Sequence, residues 1–100
     1  MVKHIVMWKF KDEVAEKDKA TLKANMQKAL TGLLGEVPGL LSVDFRSELL
    51  PSSTHDMALV TELESADALK AYSAHPSHVA VADTYVRPFV CDRSCLDYEG

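Results

Sequence analysis

The segment Tyr72-Ser73-Ala74-His75-Pro76-Ser77-His78 holds the residue types in this sequence that are best suited to acid–base chemistry. Because the ordinary pKa of histidine lies near 6.5, an imidazole takes up or releases a proton close to neutral pH. A tyrosine hydroxyl can donate a hydrogen bond to a carbonyl oxygen and stabilise the enolate that forms when an adjacent proton is removed. We therefore predict two catalytic residues, His78 as the base and Tyr72 as its oxyanion partner.

Pro76 is expected to divide this segment between two helices. The residue before a proline is pushed out of the helical conformation, whereas a proline suits the first turn of a helix. One helix should therefore end near His75, and a second should run from Ser77 to about Tyr85. Tyr72 and His78 would then flank the junction and point into one cavity between the helices and a sheet.

Further side chains are expected to contact a ligand in that cavity. Residues 3–10 alternate as in a strand, with His4, Val6, Trp8 and Phe10 on one face. Methionines on a helix and on a later strand would add deformable apolar surface. The predicted ligand-binding residues are His4, Val6, Trp8, Met26, Met57 and His75.

The same residues also have a purely structural interpretation. Tyr72, three positions from Leu69 on a helix, would then be a core residue whose hydroxyl bonds to a backbone group. His75, beside Pro76, would cap the second helix, and His78 would bond to Tyr72 or to a backbone carbonyl. The sequence leaves both interpretations open.

The elements that must position these residues follow from the spacing of apolar positions. The helical stripe from Leu22 to Val37 and the cap at Ser65 mark two helices between alternating strands. The predicted order is β-α-β-β-α-β, with strands over 3–10, 41–46, 56–63 and 89–98 and helices over 15–34 and 65–75. In the second strand Leu41, Val43 and Phe45 should face inward. This is an α+β, ferredoxin-like fold with an antiparallel four-stranded sheet and its helices on one face.

The opposite face of the sheet is also expected to be apolar. Ile5, Met7, Ala58 and Val60 fall on the side that the helices leave uncovered. The simplest cover is a second copy of the chain related by two-fold symmetry, so that two sheets close a dimeric α/β barrel.

Composition restricts the function classes. One hundred residues predict a single domain over 1–100, and a net charge of −4 argues against nucleic acid as a partner. No apolar run approaches the roughly 20 residues of a membrane span, and no signal-peptide pattern is found, so we expect a cytoplasmic protein. Cys91 and Cys95 should be reduced and lie on one face of a strand. With no glycine-rich phosphate loop, and with Pro76 interrupting His75-x-x-His78, we expect neither a cofactor nor a metal.

Five segments in register resemble the stress-responsive A/B-barrel (Dabb) family. The most specific is Tyr72-x-x-His75-Pro76-x-His78. The others are Lys3-His4-Ile5-Val6-Met7-Trp8-Lys9-Phe10-Lys11, Val37-Pro38-Gly39-Leu40, Asp56-Met57-Ala58-Leu59-Val60 and Asp97-Tyr98. Together they extend from residue 3 to the C-terminal end of the chain.

The resemblance implies a homodimer whose sheets close a barrel. One branch of the family contains small polyketide cyclases, in which a tyrosine and a histidine of the Y-x-x-H-P-x-H element form an acid–base pair. This chain departs from that branch: it has Leu22, Lys23 and Met26 instead of bulky aromatic residues in the first helix, and Met57 instead of a histidine in the third strand.

Three functions follow as alternatives. The first is a cofactor-free lyase, cyclase or isomerase that acts on an apolar, carbonyl-bearing small molecule. The second is a non-catalytic, stress-responsive or ligand-binding dimer in which the same residues brace the fold. The third is a monooxygenase or haem-associated enzyme that shares the dimeric barrel, although the Y-x-x-H-P-x-H element favours Dabb.

Overall fold

The computed structural model describes all residues from Met1 to Gly100. Four strands form one antiparallel sheet in the order β2-β3-β1-β4: β1 (Val2–Phe10), β2 (Leu40–Arg46), β3 (Met57–Leu63) and β4 (Val90–Glu99). The helices are α1 (Glu16–Thr31), α2 (Ala66–Ala74) and α3 (Pro76–Val81), followed by a π-helical turn (Ala82–Val86). The predicted ferredoxin-like arrangement of strands and helices is confirmed.

The core lies between the helices and one face of the sheet. Along β1 every second residue is buried, as a strand with one covered face requires. These residues and their neighbours in β3 pack against Met26 and Leu30 of α1 and against Tyr72 of α2. The side chains of this face, including His4, are therefore held rigidly beneath the helices.

The helix boundaries differ from the prediction in two places. Helix α1 ends at Thr31 rather than near residue 34, because the chain turns at Gly32 and then adopts a positive φ of 90° at Gly35. After α3 the last helical segment widens, so that the Arg87 amide donates to the Ala82 carbonyl over 2.8 Å, five residues back. A single short helix to about Tyr85 was expected, and the π-helical turn replaces its second half.

The junction at Pro76 forms as the sequence predicts. The Ser65 hydroxyl accepts a hydrogen bond from the Ala68 amide over 3.1 Å and caps the start of α2. Helix α2 ends before His75, which has an extended conformation with ψ of 132°, and Pro76 begins α3. Tyr72 and His78 consequently belong to different helices.

Two bulges change the faces that the sequence pattern assigned. In β2 the register shifts between Leu40 and Ser42, so Leu40 is buried and Leu41 is exposed, contrary to prediction. In β4 the register shifts near Asp92, which adopts a positive φ of 51°. Cys91 therefore pairs with Lys9 and Cys95 with Val6, so the two cysteines do not share a face.

The uncovered face of the sheet is apolar along its middle. Ile5, Met7, Ala58 and Val60 are only half-buried there, and Leu96, which pairs with Ile5, is 60% exposed. Contiguous apolar surface of this kind marks an interaction site. None of the helices has the length and hydrophobicity that crossing a membrane would require.

Candidate active site

A cavity of about 400 Å³ lies between the sheet and the Pro76 junction. Its walls combine an apolar floor from β1 and β3 with polar groups from α2, α3 and β4. The main lining residues are His4, Val6, Trp8, Leu59, Tyr72, His78, Val86, Arg87 and Arg93. A mostly apolar cavity with a few converging polar groups is typical of a small-molecule site.

Tyr72 points from α2 into the core and is only 1% exposed. Burial raises the pKa of its hydroxyl to about 12, so the group stays protonated and remains a donor at neutral pH. The hydroxyl forms no hydrogen bond within the chain and opens to the cavity. It is therefore free to donate to a ligand.

His78 lies directly beside Tyr72, with 4.4 Å between the two ring centroids. Its Nδ1 is 3.3 Å from the Ser73 carbonyl oxygen, which can only accept, so Nδ1 carries the proton and Nε2 is left as the basic nitrogen. Burial lowers the pKa of His78, an effect that the bond to Ser73 opposes and the charge of Arg87 reinforces. His78 is accordingly neutral and able to accept a proton at pH 7.

His4 brings a second imidazole to the same cavity. It is 7% exposed, and its ring meets that of Tyr72 edge to face at 6.2 Å between centroids. Its Nδ1 is hydrogen-bonded to the Asp97 carboxylate. Since the carboxylate accepts, the bond fixes the ring and leaves Nε2 without a proton when His4 is neutral.

Asp97 has a site contact that the sequence did not predict, whereas the bond from His78 to the Ser73 carbonyl is one that the structural interpretation allowed. Asp97 reaches His4 because β4 pairs with β1 and puts the two residues directly opposite each other. The Asp97-Tyr98 motif was visible in the sequence, but it gave no indication of this partner. Cys95 also approaches: its Sγ is 3.7 Å from His4 Nδ1 and 3.6 Å from Asp97 Oδ1. Partial burial and the neighbouring Asp97 raise the pKa of its thiol.

Of the predicted site residues, His4, Val6, Trp8, Tyr72 and His78 meet at the cavity. Met26 and Met57 do not line it, because both are fully buried in the core behind it. His75 does not line it either. Its Nδ1 accepts a hydrogen bond from the Ser77 amide over 3.1 Å and caps α3, whereas the structural interpretation placed the cap on the second helix, where only the backbone amide of His75 bonds, to the Tyr72 carbonyl.

Two arginines at the cavity add positive charge. Arg87 follows the π-helical turn and is paired with the Asp83 carboxylate, whereas Arg93 on β4 has no such ion pair. Turns of this type are frequent at functional sites. This one is fixed by tertiary packing, and no pattern in the sequence indicates it.

Comparisons with known proteins fit this geometry. A model of the stress responsive A/B barrel domain matches residues 2–100. The chain is 28% identical to olivetolic acid cyclase of Cannabis sativa over 89 residues, which are 84% of this chain and 82% of that protein.

Two crystal structures show similar folds. A dimeric ferredoxin-like protein of unknown function from Bacteroides fragilis has a TM-score of 0.90 and 29% identity, with 99% of this chain and 95% of that chain covered. A dimeric ferredoxin-like protein from Thermobifida fusca has a TM-score of 0.78 and 26% identity, with 97% and 88% covered. The chain therefore belongs to the stress-responsive A/B-barrel (Dabb) family.

Proposed function

We propose that this protein is a cofactor-free acid–base catalyst that removes a proton next to a carbonyl group in a small, apolar molecule. The observation that carries the proposal is the Tyr72 hydroxyl, which forms no hydrogen bond within the chain, opens to the cavity and lies beside a neutral His78. Relatedness to olivetolic acid cyclase supports ring closure as the reaction class.

The proposed reaction balances without a further reactant. His78 Nε2 takes the proton from the carbon next to the carbonyl, and the C–H electron pair moves into an enolate. Tyr72 donates a hydrogen bond to the enolate oxygen, where charge develops. The enolate carbon then attacks a second carbonyl of the same molecule, and protonated His78 returns the proton to the new alkoxide.

The cavity suits a flat, apolar substrate. Trp8 and Val6 form its floor, and a volume of about 400 Å³ lies within the range of small-ligand sites. His4, fixed by Asp97, would accept a hydrogen bond from a hydroxyl of the substrate through Nε2. Positive charge from Arg93 favours a substrate with an enolisable, partly anionic end.

Proton exchange is the most direct test of this proposal. A medium-chain alkyl methyl ketone is incubated with the protein in D2O, and deuterium incorporation is followed by NMR; a linear alkyl triketone tests ring closure. The wild-type chain should accelerate exchange, and Tyr72→Phe and His78→Gln should abolish most of it. His75→Asn is the matched control, because asparagine can cap α3 and residue 75 lies outside the cavity. Equal loss in all three variants, or no exchange above background, would refute the proposal.

A non-catalytic ligand carrier is the second candidate. It is favoured by Met57, which is fully buried where the cyclase branch is expected to have a pocket histidine. The two candidates differ in one measurement. A carrier would bind the ketone without exchange, and Tyr72→Phe would then weaken binding by less than about tenfold, as expected for one neutral hydrogen bond.

We also infer that the active form is a homodimer joined through the uncovered sheet face. The half-buried Ile5, Met7 and Val60 and the exposed Leu96 support this, as do the dimeric relatives. Light scattering should give about twice the chain mass of 11.0 kDa. Leu96→Glu should reduce the mass to that of one chain, whereas Leu50→Glu, on an exposed loop, should not. A single-chain mass for the wild type at micromolar concentration would contradict the inference.

A further inference from the structure

The cluster of His4, Cys95 and Asp97 brings together three possible metal ligands, in addition to orienting His4. It joins an imidazole nitrogen, a thiol sulfur and a carboxylate oxygen, all within 4.8 Å of one another. These are the three donor types that bind Zn²⁺ in proteins. We propose that the cluster is a binding site for a zinc-class divalent cation, with three ligands from the chain and one open position.

The spacing of the donor atoms fits a tetrahedral ion. With Zn–S near 2.3 Å and Zn–N and Zn–O near 2.1 Å, the edges between ligand atoms come to about 3.6 Å from sulfur and about 3.4 Å between nitrogen and oxygen. Cys95 Sγ is 3.7 Å from His4 Nδ1 and 3.6 Å from Asp97 Oδ1. Two of the three edges thus already have the required length.

Only the third edge must change. His4 Nδ1 and Asp97 Oδ1 are hydrogen-bonded and therefore closer than two ligands of one ion. His4 is buried and held by the core, whereas the Asp97 side chain is 42% exposed and has room to withdraw. The cation would replace the proton of the hydrogen bond between the two groups, and the Asp97 side chain would move to make room for it.

The sheet holds the three ligands in place. Cys95 and Asp97 are two positions apart on β4, so they share a face, and their partners in β1 are Val6 and His4. The site lies on the helix side of the edge strand, away from the face assigned to the dimer, and Cys95 and Asp97 are open to solvent. An ion can therefore reach the cluster from solvent in the single chain.

Occupation of the site would alter the cavity. Without a cation, His4 Nδ1 donates to Asp97 and Nε2 is an acceptor. When Nδ1 binds a cation, the neutral ring must carry its proton on Nε2 and becomes a donor toward the cavity. The cation would thereby change which ligand atoms His4 can accommodate.

Cobalt titration tests the proposal without any assay of activity. The full chain, without a histidine tag and after removal of metals by a chelator, is titrated with Co²⁺ and then with Zn²⁺. We expect one equivalent per chain, a thiolate-to-cobalt charge-transfer band, and loss of that band when Zn²⁺ displaces Co²⁺. Asp97→Asn should weaken binding at least tenfold, because a charged ligand is lost.

The two cysteines supply a matched control. Cys95→Ser should abolish the charge-transfer band, while Cys91→Ser, which changes the cysteine paired with Lys9, should leave it unaltered. Residue 95 is exposed, so Cys95→Ser should keep the melting temperature of the wild type in metal-free buffer. In Asp97→Asn the amide oxygen can still accept the hydrogen bond from His4 Nδ1, and the melting temperature in metal-free buffer checks that the variant is folded. Absence of Co²⁺ binding, binding without the band, or equal loss in both cysteine variants would overturn the site. None of these outcomes bears on proton exchange by Tyr72 and His78.

Discussion

Replacing Tyr72 with phenylalanine separates the two interpretations of this residue, because one predicts a loss of stability and the other almost no change. A buried hydroxyl that bonds to the protein contributes about 0.5–1.5 kcal/mol to the free energy of unfolding. Its loss also leaves the buried partner without a hydrogen bond, which lowers the stability further. Here the hydroxyl forms no hydrogen bond within the chain, so its removal breaks none. The ring, which provides the packing, is retained in phenylalanine.

The expected change in the free energy of unfolding is therefore within about 0.5 kcal/mol of zero. For a chain of this size 1 kcal/mol corresponds to about 4–8 °C in melting temperature, so Tyr72→Phe should shift the melting temperature by no more than about 4 °C. The catalytic effect should be much larger. Loss of one donor to a developing oxyanion costs about 100- to 1000-fold in kcat.

Differential scanning calorimetry and the deuterium-exchange assay measure the two quantities on the same sample. Tyr72→Ala provides the scale, because removal of the buried ring should cost about 3–5 kcal/mol and melt the protein far earlier. If Tyr72→Phe lowers the melting temperature by 8 °C or more, the hydroxyl is a structural group and the proposed role is wrong. If exchange persists at the wild-type rate, Tyr72 is not the oxyanion donor.

Two further predictions concern pH and the backbone. Because the pKa of His78 lies below its ordinary value near 6.5 and that of Tyr72 is about 12, kcat/KM for proton exchange should rise with pH through an apparent pKa below 6.5 and then stay level past pH 9. His78→Gln should lose this acidic limb, and a limb centred above pH 7 in the wild type would contradict the assignment. Gly39→Ala should lower the free energy of unfolding by at least about 2 kcal/mol, because φ is +83° there and the new Cβ would lie 2.8 Å from the Ala68 Cβ. Gly35→Ala, with φ of +90° but open space around it, should lower the free energy of unfolding by only about 1–2 kcal/mol. Urea unfolding measures both variants, and equal losses of stability would show that the contact with Ala68 is unimportant.

The fold could be predicted from sequence wherever one local signal dominated. Alternation along β1 fixed the buried face, and Ser65 and Pro76 marked helix ends by capping and by steric exclusion. The faces of β2 and β4 were assigned wrongly in part because each strand contains a bulge. A bulge inserts one extra residue into one strand. The side chains that follow the bulge therefore point to the face opposite to the one that simple alternation predicts. Leu41 and the cysteine pair were misplaced for this reason.

The site was predictable to the extent that it lies in one segment. Tyr72 and His78 are close in sequence, and His4 and Trp8 follow from the strand that faces them. Asp97 was not predicted, because its contact with His4 spans 93 residues and depends on the register of β4 against β1. The expectation that no metal binds rested on ligand spacing along the chain, whereas the donor cluster forms across two strands.

The break in the helix at Pro76 explains how Tyr72 and His78, six residues apart, come to lie side by side. On a continuous α-helix, residues six apart differ by about 240° in direction and about 9 Å in height, so Tyr72 and His78 could not meet. The extended residue at position 75 resets the direction of the chain and lets α3 start anew, and the two ring centroids come within 4.4 Å. His75 contributes by capping α3 through the Ser77 amide, and Ser73 by accepting the Nδ1 proton of His78. Ser73, His75, Pro76 and Ser77 thus all act on the position or protonation of the pair, which indicates that the junction serves to hold Tyr72 and His78 together.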